Sequence, residues 1–365
     1  MRYKFKYKPY EHQLEALKRS WNKKEFAYFM DMGTGKSKVL IDNMCVLYDR
    51  GEITGALIVA PKGVYRNWEQ GELPTHIPEH VMYDTVLWNP SQTKTQLEKQ
   101  NKLYVVDDNL KIFVMNVEAF STKKGCEAAE RFLNAHPSLM VIDESTTIKN
   151  KDAKRTKSIV KIGKVAQYRR ILTGSPVTKS PMDLYTQAEF LDEWLLGHSS
   201  FFSFQYEYAI VQRRSMGAHS FNQVVGYRNL DKLNGILENF SYRVKKEDCL
   251  DLPDKVYIKR SVELTEEQKS VYNSLKTFAL ALLEDGSVTT DTILTQLLRL
   301  QQVCSGHVKM DDGEMKTFNS AKLPELMSVL EEVDGKVIIW ANFTHDIKTI
   351  EQEISKMYGA ETVAT

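Results

Sequence analysis

The stretch Phe29-Met30-Asp31-Met32-Gly33-Thr34-Gly35-Lys36-Ser37 sets two glycines, an ammonium and a hydroxyl side by side. Such a set suits a phosphate. Glycines let backbone N–H groups approach an anion, and a following helix N-terminus adds its dipole. The lysine reaches terminal phosphates and the serine hydroxyl takes Mg²⁺. Gly33, Thr34, Gly35, Lys36 and Ser37 are therefore the candidate nucleotide-binding residues, with Ser37 toward the metal. The first glycine of the full G-x-x-x-x-G-K-[ST] pattern would fall where Met30 stands. Alone, the same residues also describe a glycine-rich turn followed by a lysine. A second group with chemistry is Asp143-Glu144, directly after the apolar run Leu139-Met140-Val141-Ile142. Asp143 would hold Mg²⁺ and Glu144 would polarise the attacking water as general base. An acidic pair at a strand end can also simply cap a turn. The phosphate loop upstream and Thr173-Gly174-Ser175 downstream favour the catalytic reading. Gln13, with both a donor and an acceptor, suits the edge of adenine.

These residues need a scaffold that brings them together. Short apolar runs occur at Phe26–Phe29, Gly55–Ala60, Ile112–Met115, Leu139–Ile142 and Arg170–Leu172, with mostly polar or helical stretches between them. Val39, Leu40, Met44 and Leu47 continue from Ser37 at helical spacing. Buried strands alternating with helices predict an α/β fold whose parallel sheet is covered on both faces. Ligands in such sheets bind beyond the carboxyl ends of the strands. The polar residues after each run thus converge on one edge, around the phosphate loop. The basic–aromatic alternation of Tyr3, Phe5 and Tyr7 with their lysines predicts a further strand, with the three rings on one face.

A chain of 365 residues exceeds the common single-domain size, so two or more domains are expected. Its 42% hydrophobic and 27% charged residues are those of an ordinary globular protein. Net charge is +1, so a nucleic-acid site must come from local clusters. No apolar run approaches a membrane span, and the basic N-terminus lacks a signal-peptide core. Cys45, Cys126, Cys249 and Cys304 form no Cys-x-x-Cys pair, which fits reduced thiols in a cytoplasmic compartment. Cys304 and His307 lie close together, but without a second pair of ligands they read as structural.

The motifs in order are Gln13, Gly33 to Ser37, Ala60-Pro61-Lys62, Asp143-Glu144-Ser145-Thr146 and Leu172-Thr173-Gly174-Ser175-Pro176. Together they resemble helicase superfamily two. Asn67-Trp68, Ile148-Lys149-Asn150, Leu184-Tyr185, Tyr242-Arg243-Val244-Lys245, Leu252-Pro253-Asp254-Lys255 and Leu298 to Cys304 make the chain similar to the Swi/Snf-like branch. The resemblance implies a RecA-like (P-loop NTPase) lobe at 1–182, a helical insertion at 183–250, and the start of a second RecA-like lobe at 251–365. It implies a motor that hydrolyses ATP to ADP and phosphate with Mg²⁺ and moves along nucleic acid, usually double-stranded DNA. In that scheme Gln13 reads adenine, and Thr173, Gly174 and Ser175 couple nucleotide state to the track. Lys62 and the segment around Asn116 face the DNA. Thr146 stands where many relatives carry His. Lys336 to Phe343 matches the second lobe's first strand, and no later segment supplies that lobe's remaining strands or arginine finger, so truncation within the second lobe is expected. Two other readings stay open: a strand-separating DNA or RNA helicase, and an ATP-switched nucleic-acid-binding module with little turnover.

Local basic clusters supply candidate contacts to a phosphate backbone. Lys154, Lys157, Lys161 and Lys164 fall on one face of an expected helix; the alternative is a solvated surface helix. Arg213-Arg214 and Arg243 to Lys246 are smaller clusters. Phe201, Phe202, Phe204, Tyr206 and Tyr208 read as core rather than as a base-stacking platform. Thr265 to Leu283 and Thr292 to Cys304 are expected as helices separated by Asp285-Gly286-Ser287.

Overall fold

Gly55–Ala60 has no charged side chain, and a strand of that kind is stable only with both faces covered. In the computed structural model it is the strand β2 of a seven-stranded sheet. The other members are β1 (Glu25–Met30), β3 (Tyr83–Leu87), β4 (Leu110–Asn116), β5 (Ser138–Asp143), β6 (Tyr168–Thr173) and β9 (Ser241–Val244). The order is β3-β4-β2-β5-β6-β1-β9, and every pairing is parallel. The structure describes all residues except 1–2, 92, 217–218, 285–289 and 311–312. Asp285-Gly286-Ser287 therefore lies outside the described residues. Contacts divide the chain into two units, 1–253 and 254–365.

In the first unit, alternate residues of each strand feed two separate cores. Leu57, Val59, Phe113, Met115, Met140 and Ile142 pack on one face, with Phe132 of helix Lys123–Ala135 and Ile159 of helix Lys154–Gly163. Ile58, Ala60, Ile112, Val114, Leu139 and Val141 pack on the other. There they meet α1 (Glu11–Ser20) through Ala16 and α2 (Lys36–Asp49) through Val39, Leu40 and Met44. Each fully buried apolar side chain contributes about 1.5–3 kcal/mol, so both faces hold the sheet firmly.

The region 183–250 is helical only in part. Helices Leu184–Leu191, Phe201–Tyr208 and Leu230–Glu238 are joined by an antiparallel hairpin, β7 (Ala209–Met216) with β8 (His219–Tyr227). Near the end of the region β9 extends the main sheet beside β1, and the short helix Lys246–Cys249 follows. Phe204 and Tyr208 are fully buried, whereas Phe202 and Tyr206 face solvent, so the aromatic cluster is half core and half surface.

Residues 3–8 form no strand, which corrects the expectation drawn from their alternation. A strand needs a hydrogen-bonding neighbour, and the rings find packing instead. Tyr3 and Phe5 lie against the α2 side of the core, and the Tyr3 hydroxyl donates to Asp42 Oδ1 at 3.1 Å. Tyr7 is exposed, with its ring edge-on to His76.

The second unit contains helices Glu266–Glu284 and Thr290–Ser305, the short hairpin β10 (His307–Lys309) with β11 (Met315–Thr317), and helices Lys322–Glu331 and Thr344–Tyr358. Val303, Val308 and Phe318 form its small core. Lys336 to Phe343 adopts no strand among the described residues, and Ile338 and Trp340 are 80% and 91% exposed.

Candidate active site

The register of the sheet brings the chemistry together. Phe29 of β1 pairs with Thr173 of β6, and Leu172 pairs with Asp143 of β5. The loops after β1, β5 and β6 thus leave the same edge side by side. The first carries the glycines. Gly33 and Gly35 have φ of +83° and +85°, a region that costs an L side chain about 1–2 kcal/mol. Space forbids a side chain at Gly35 as well, because a Cβ there would sit 2.3 Å from Gln13 Nε2.

Gln13 is locked by both ends of its amide. Its Oε1 accepts from the Tyr10 N–H at 3.0 Å, and its Nε2 donates to the Thr34 carbonyl at 3.1 Å. His12, which sequence reasoning passed over, bonds the same carbonyl at 2.8 Å. Helix α1 therefore holds the phosphate loop from outside. The loop is also held from the short helix Lys246–Cys249, just after β9: the Lys246 N–H donates to Asp31 Oδ2 at 3.0 Å.

Lys36 folds back onto the loop and donates to the carbonyls of Met30 at 2.9 Å and Asp31 at 3.2 Å. Burial pulls its ammonium below the usual lysine range, against the opposing pull of Glu144, Asp143 and Asp31. These three carboxylates outnumber the one ammonium and leave the cluster with an anionic surplus. Asp143 shows the strain most directly. Burial pushes its carboxyl up to about 6, although the Trp68 indole N–H donates to Oδ2 at 2.9 Å and partly counters the shift. Glu144 adds repulsion in the same upward direction. The Trp68 bond was not legible in the sequence, where Asn67-Trp68 stood only as a similarity.

Glu144 sits at φ +49°, one of two non-glycine residues with positive φ among those described. Such backbone strain persists where the surroundings over-determine it, and it clusters at functional sites. Here the Glu144 N–H donates to Asp143 Oδ1 at 3.0 Å, and the Thr173 hydroxyl donates to Glu144 Oε2 at 3.3 Å. The Ser175 N–H in turn donates to Thr173 Oγ1 at 3.2 Å. Gly174 passes so close to the phosphate loop that a Cβ would lie 3.3 Å from Met32 N. The loops of the acidic pair and of Thr173–Ser175 are thus mechanically continuous.

Gln187 reinforces that continuity, and sequence reasoning missed it. It is fully buried on helix Leu184–Leu191. Its Oε1 accepts from the Ser145 hydroxyl at 2.6 Å, and its Nε2 donates to the carbonyls of Pro176 at 2.8 Å and Asp183 at 2.7 Å. Arg170 plays the same part at the opposite end of β6. Its buried guanidinium donates to Asn43 Oδ1 of α2 at 3.0 Å, and to the carbonyls of Ser20, Lys23, Lys24 and Arg169 at 2.7–3.0 Å.

The candidate track residues lie less tightly together. Ala60 pairs with Asn116, so Lys62 and Asn116 follow adjacent strand ends. Lys62 is exposed, and Asn116 donates to Glu118 Oε2 at 2.9 Å. Lys154 and Lys157 lie on the exposed face of their helix, opposite buried Thr156, Ile159 and Ile162. Lys164 is engaged by Glu193 at 2.7 Å.

The chain is 24% identical over 378 residues to the CHD3-type chromatin-remodeling factor PICKLE of Arabidopsis thaliana, covering 94% of this chain and 26% of that protein. It is 24% identical over 343 residues to the putative ATP-dependent helicase/translocase YwqA of Bacillus subtilis, covering 90% of this chain and 34% of that protein. The chain thus spans about a quarter to a third of these relatives. Its fold matches the Sulfolobus solfataricus SWI2/SNF2 ATPase core, solved in complex with dsDNA, at 23% identity and a TM-score of 0.53, over 97% of this chain and 71% of that one. The SNF2-related domain matches residues 17–309, and the chain belongs to that family.

Proposed function

We propose that this chain is the ATP-hydrolysing part of a nucleic-acid motor, a double-stranded DNA translocase of the Swi/Snf type. One observation carries the reading: Asp143, Glu144 and Thr173 are bonded to one another at the carboxyl edge of a parallel sheet, and the ammonium of Lys36, held on the adjoining loop, feels the charge of both carboxylates. The family's named relatives include a chromatin-remodelling factor and a putative helicase/translocase, and the solved neighbour holds dsDNA.

ATP is bound with its phosphates over Gly33 to Ser37 and its adenine toward Gln13, whose amide must exchange the Tyr10 N–H and the Thr34 carbonyl for the base. The Ser37 hydroxyl and the Asp143 carboxylate are the groups that would hold Mg²⁺, which supplies neutralisation of phosphate charge. The donor set fits, since both are hard oxygen ligands. Lys36 must exchange the Met30 and Asp31 carbonyls for phosphate oxygens. Glu144 accepts a proton from water as the water oxygen attacks the γ-phosphorus. The bond from phosphorus to the bridging oxygen breaks, and ADP leaves with the electron pair. Thr173 holds Glu144 for that task and, through Ser175 and Gln187, reports its state to the next loop. Lys62, Asn116, Lys154 and Lys157 are assigned to the DNA backbone. We assign the protein to a reducing, cytoplasmic setting, which its four free cysteines fit.

Glu144→Gln tests the mechanism. The variant is expected to bind ATP as the parent does and to lose at least about a hundredfold in turnover. Loss of ATP binding would assign Glu144 to structure instead. A duplex carrying a fluorophore and quencher separates the motor readings: a translocase leaves the strands paired, and strand release would establish a helicase.

A further inference from the structure

The second unit brings together residues that are distant in sequence. His307 opens β10, and His345 and Asp346 lie in the first turn of helix Thr344–Tyr358. Gly306, at φ +96°, makes the tight turn that delivers His307, and a Cβ there would meet Ser320 Cβ at 2.9 Å. Each of the three side chains offers one ligand atom, and these atoms lie within 4.8 Å of one another.

We propose that His307, His345 and Asp346 form a binding site for a divalent transition-metal ion, zinc by the chemistry of its ligands. Two imidazoles and one carboxylate are a set that zinc takes with a fourth position left open. His307 is 1% exposed, and its ring is fixed by stacking on His345 at 4.5 Å and by the edge of Phe343 at 5.2 Å. Its Nδ1 is buried and has no hydrogen-bond partner, although Asp346 Oδ1 lies 3.1 Å away. A ring nitrogen and a carboxylate that face each other without a well-aimed bond are satisfied when both point at one shared cation.

The surroundings agree. A cavity of about 1020 Å³ is lined by His345 and Asp346 together with Trp340, Asn342 and Ser320, giving the ion a path and the open position a solvent face. Ligands at zinc distances stand about 3.3 Å apart, so the widest pair must close by about 1.5 Å. His345 and Asp346 are both partly exposed and have room to turn. Cys304, adjacent in sequence, is not part of the group. A bound ion would tie β10 to the helix and lock a unit whose own core is small.

The test uses the 365-residue chain with Co²⁺ as spectroscopic probe and Zn²⁺ as competitor. The expected result is one Co²⁺ per chain with the intense visible bands of a low-coordinate N/O site, displaced by Zn²⁺. His345→Ala and Asp346→Ala, made separately, alter partly exposed residues and leave the buried His307 in place. Each is expected to weaken Zn²⁺ binding at least about tenfold and to remove the protection that Zn²⁺ confers on amides of helix Thr344–Tyr358 in hydrogen exchange. Absence of stoichiometric binding overturns the proposal. So does binding that survives both substitutions unchanged, which would place the ion on other histidines.

Discussion

Two apolar runs of similar kind have opposite fates in this molecule. In β2, Ile58 is fully buried between β4 and β5, with α2 packed over its face. In the second unit, Ile338 and Trp340 of the run after Lys336 are exposed, and no strand pairs with them among the described residues. An apolar run is an offer of a strand, and neighbours decide whether it is taken up. The candidate active site rests on the first kind of run, because its groups extend from strand ends that neighbours fix in register.

The comparison can be broken at its strongest point, Arg170. Arg170→Met removes the guanidinium that joins β6 to α1 and α2 and leaves buried carbonyls unpaired. The expected cost to the first unit is about 3–5 kcal/mol, read from hydrogen exchange of β1 and β6 amides. A cost near zero would mean that water replaces the guanidinium and that packing alone sets the edge. Ile58→Ala is expected to cost about 2–5 kcal/mol in the same unit. Ile338→Ala is expected to change the second unit by less than about 0.5 kcal/mol. Equal costs at the two positions would erase the contrast and show that the second run is buried in solution.

A finer test concerns Asp143. Its carboxyl titrates near 6, above the ordinary aspartate range, because burial disfavours the anion. The sign follows: the folded state holds this proton more tightly than the unfolded chain. The group therefore costs stability as pH rises from about 4 to 6, and the cost is constant above that window. The anion is the form that suits a cation, so turnover is expected to fall as pH drops through about 6. Trp68→Phe removes the bond that favours the anion. It should shift this limb upward and slow turnover more at pH 6 than at pH 8, as a pH–rate profile would show. An unshifted limb would assign it to another group.

How much of this was legible in the sequence follows the same division. The runs that became β1, β2, β4, β5 and β6 were readable because continuous burial leaves continuous apolar sequence. Tyr83–Leu87 was not, because β3 is an edge strand whose side chains are mostly half-buried. Ser241–Val244 was read only as part of a link, since a four-residue edge strand with Tyr and Arg carries no periodic signal. Tyr3 to Tyr7 carried the signal of a strand and made none, for want of a neighbour. In the site, the glycines, Lys36 and the acidic pair were legible because their residue types are dictated by phosphate chemistry. Trp68, Gln187, His12 and Arg170 were not, because any of several residues can close such a bond and only the fold chooses which.

The measurement that tests the central claim most directly is steady-state ATP hydrolysis by this chain, alone and with duplex DNA, single-stranded DNA or RNA. Lys36→Ala serves as the control. The expected result is turnover that duplex DNA stimulates most and that Lys36→Ala abolishes. Turnover untouched by Lys36→Ala, or a chain that binds no ATP, would contradict it.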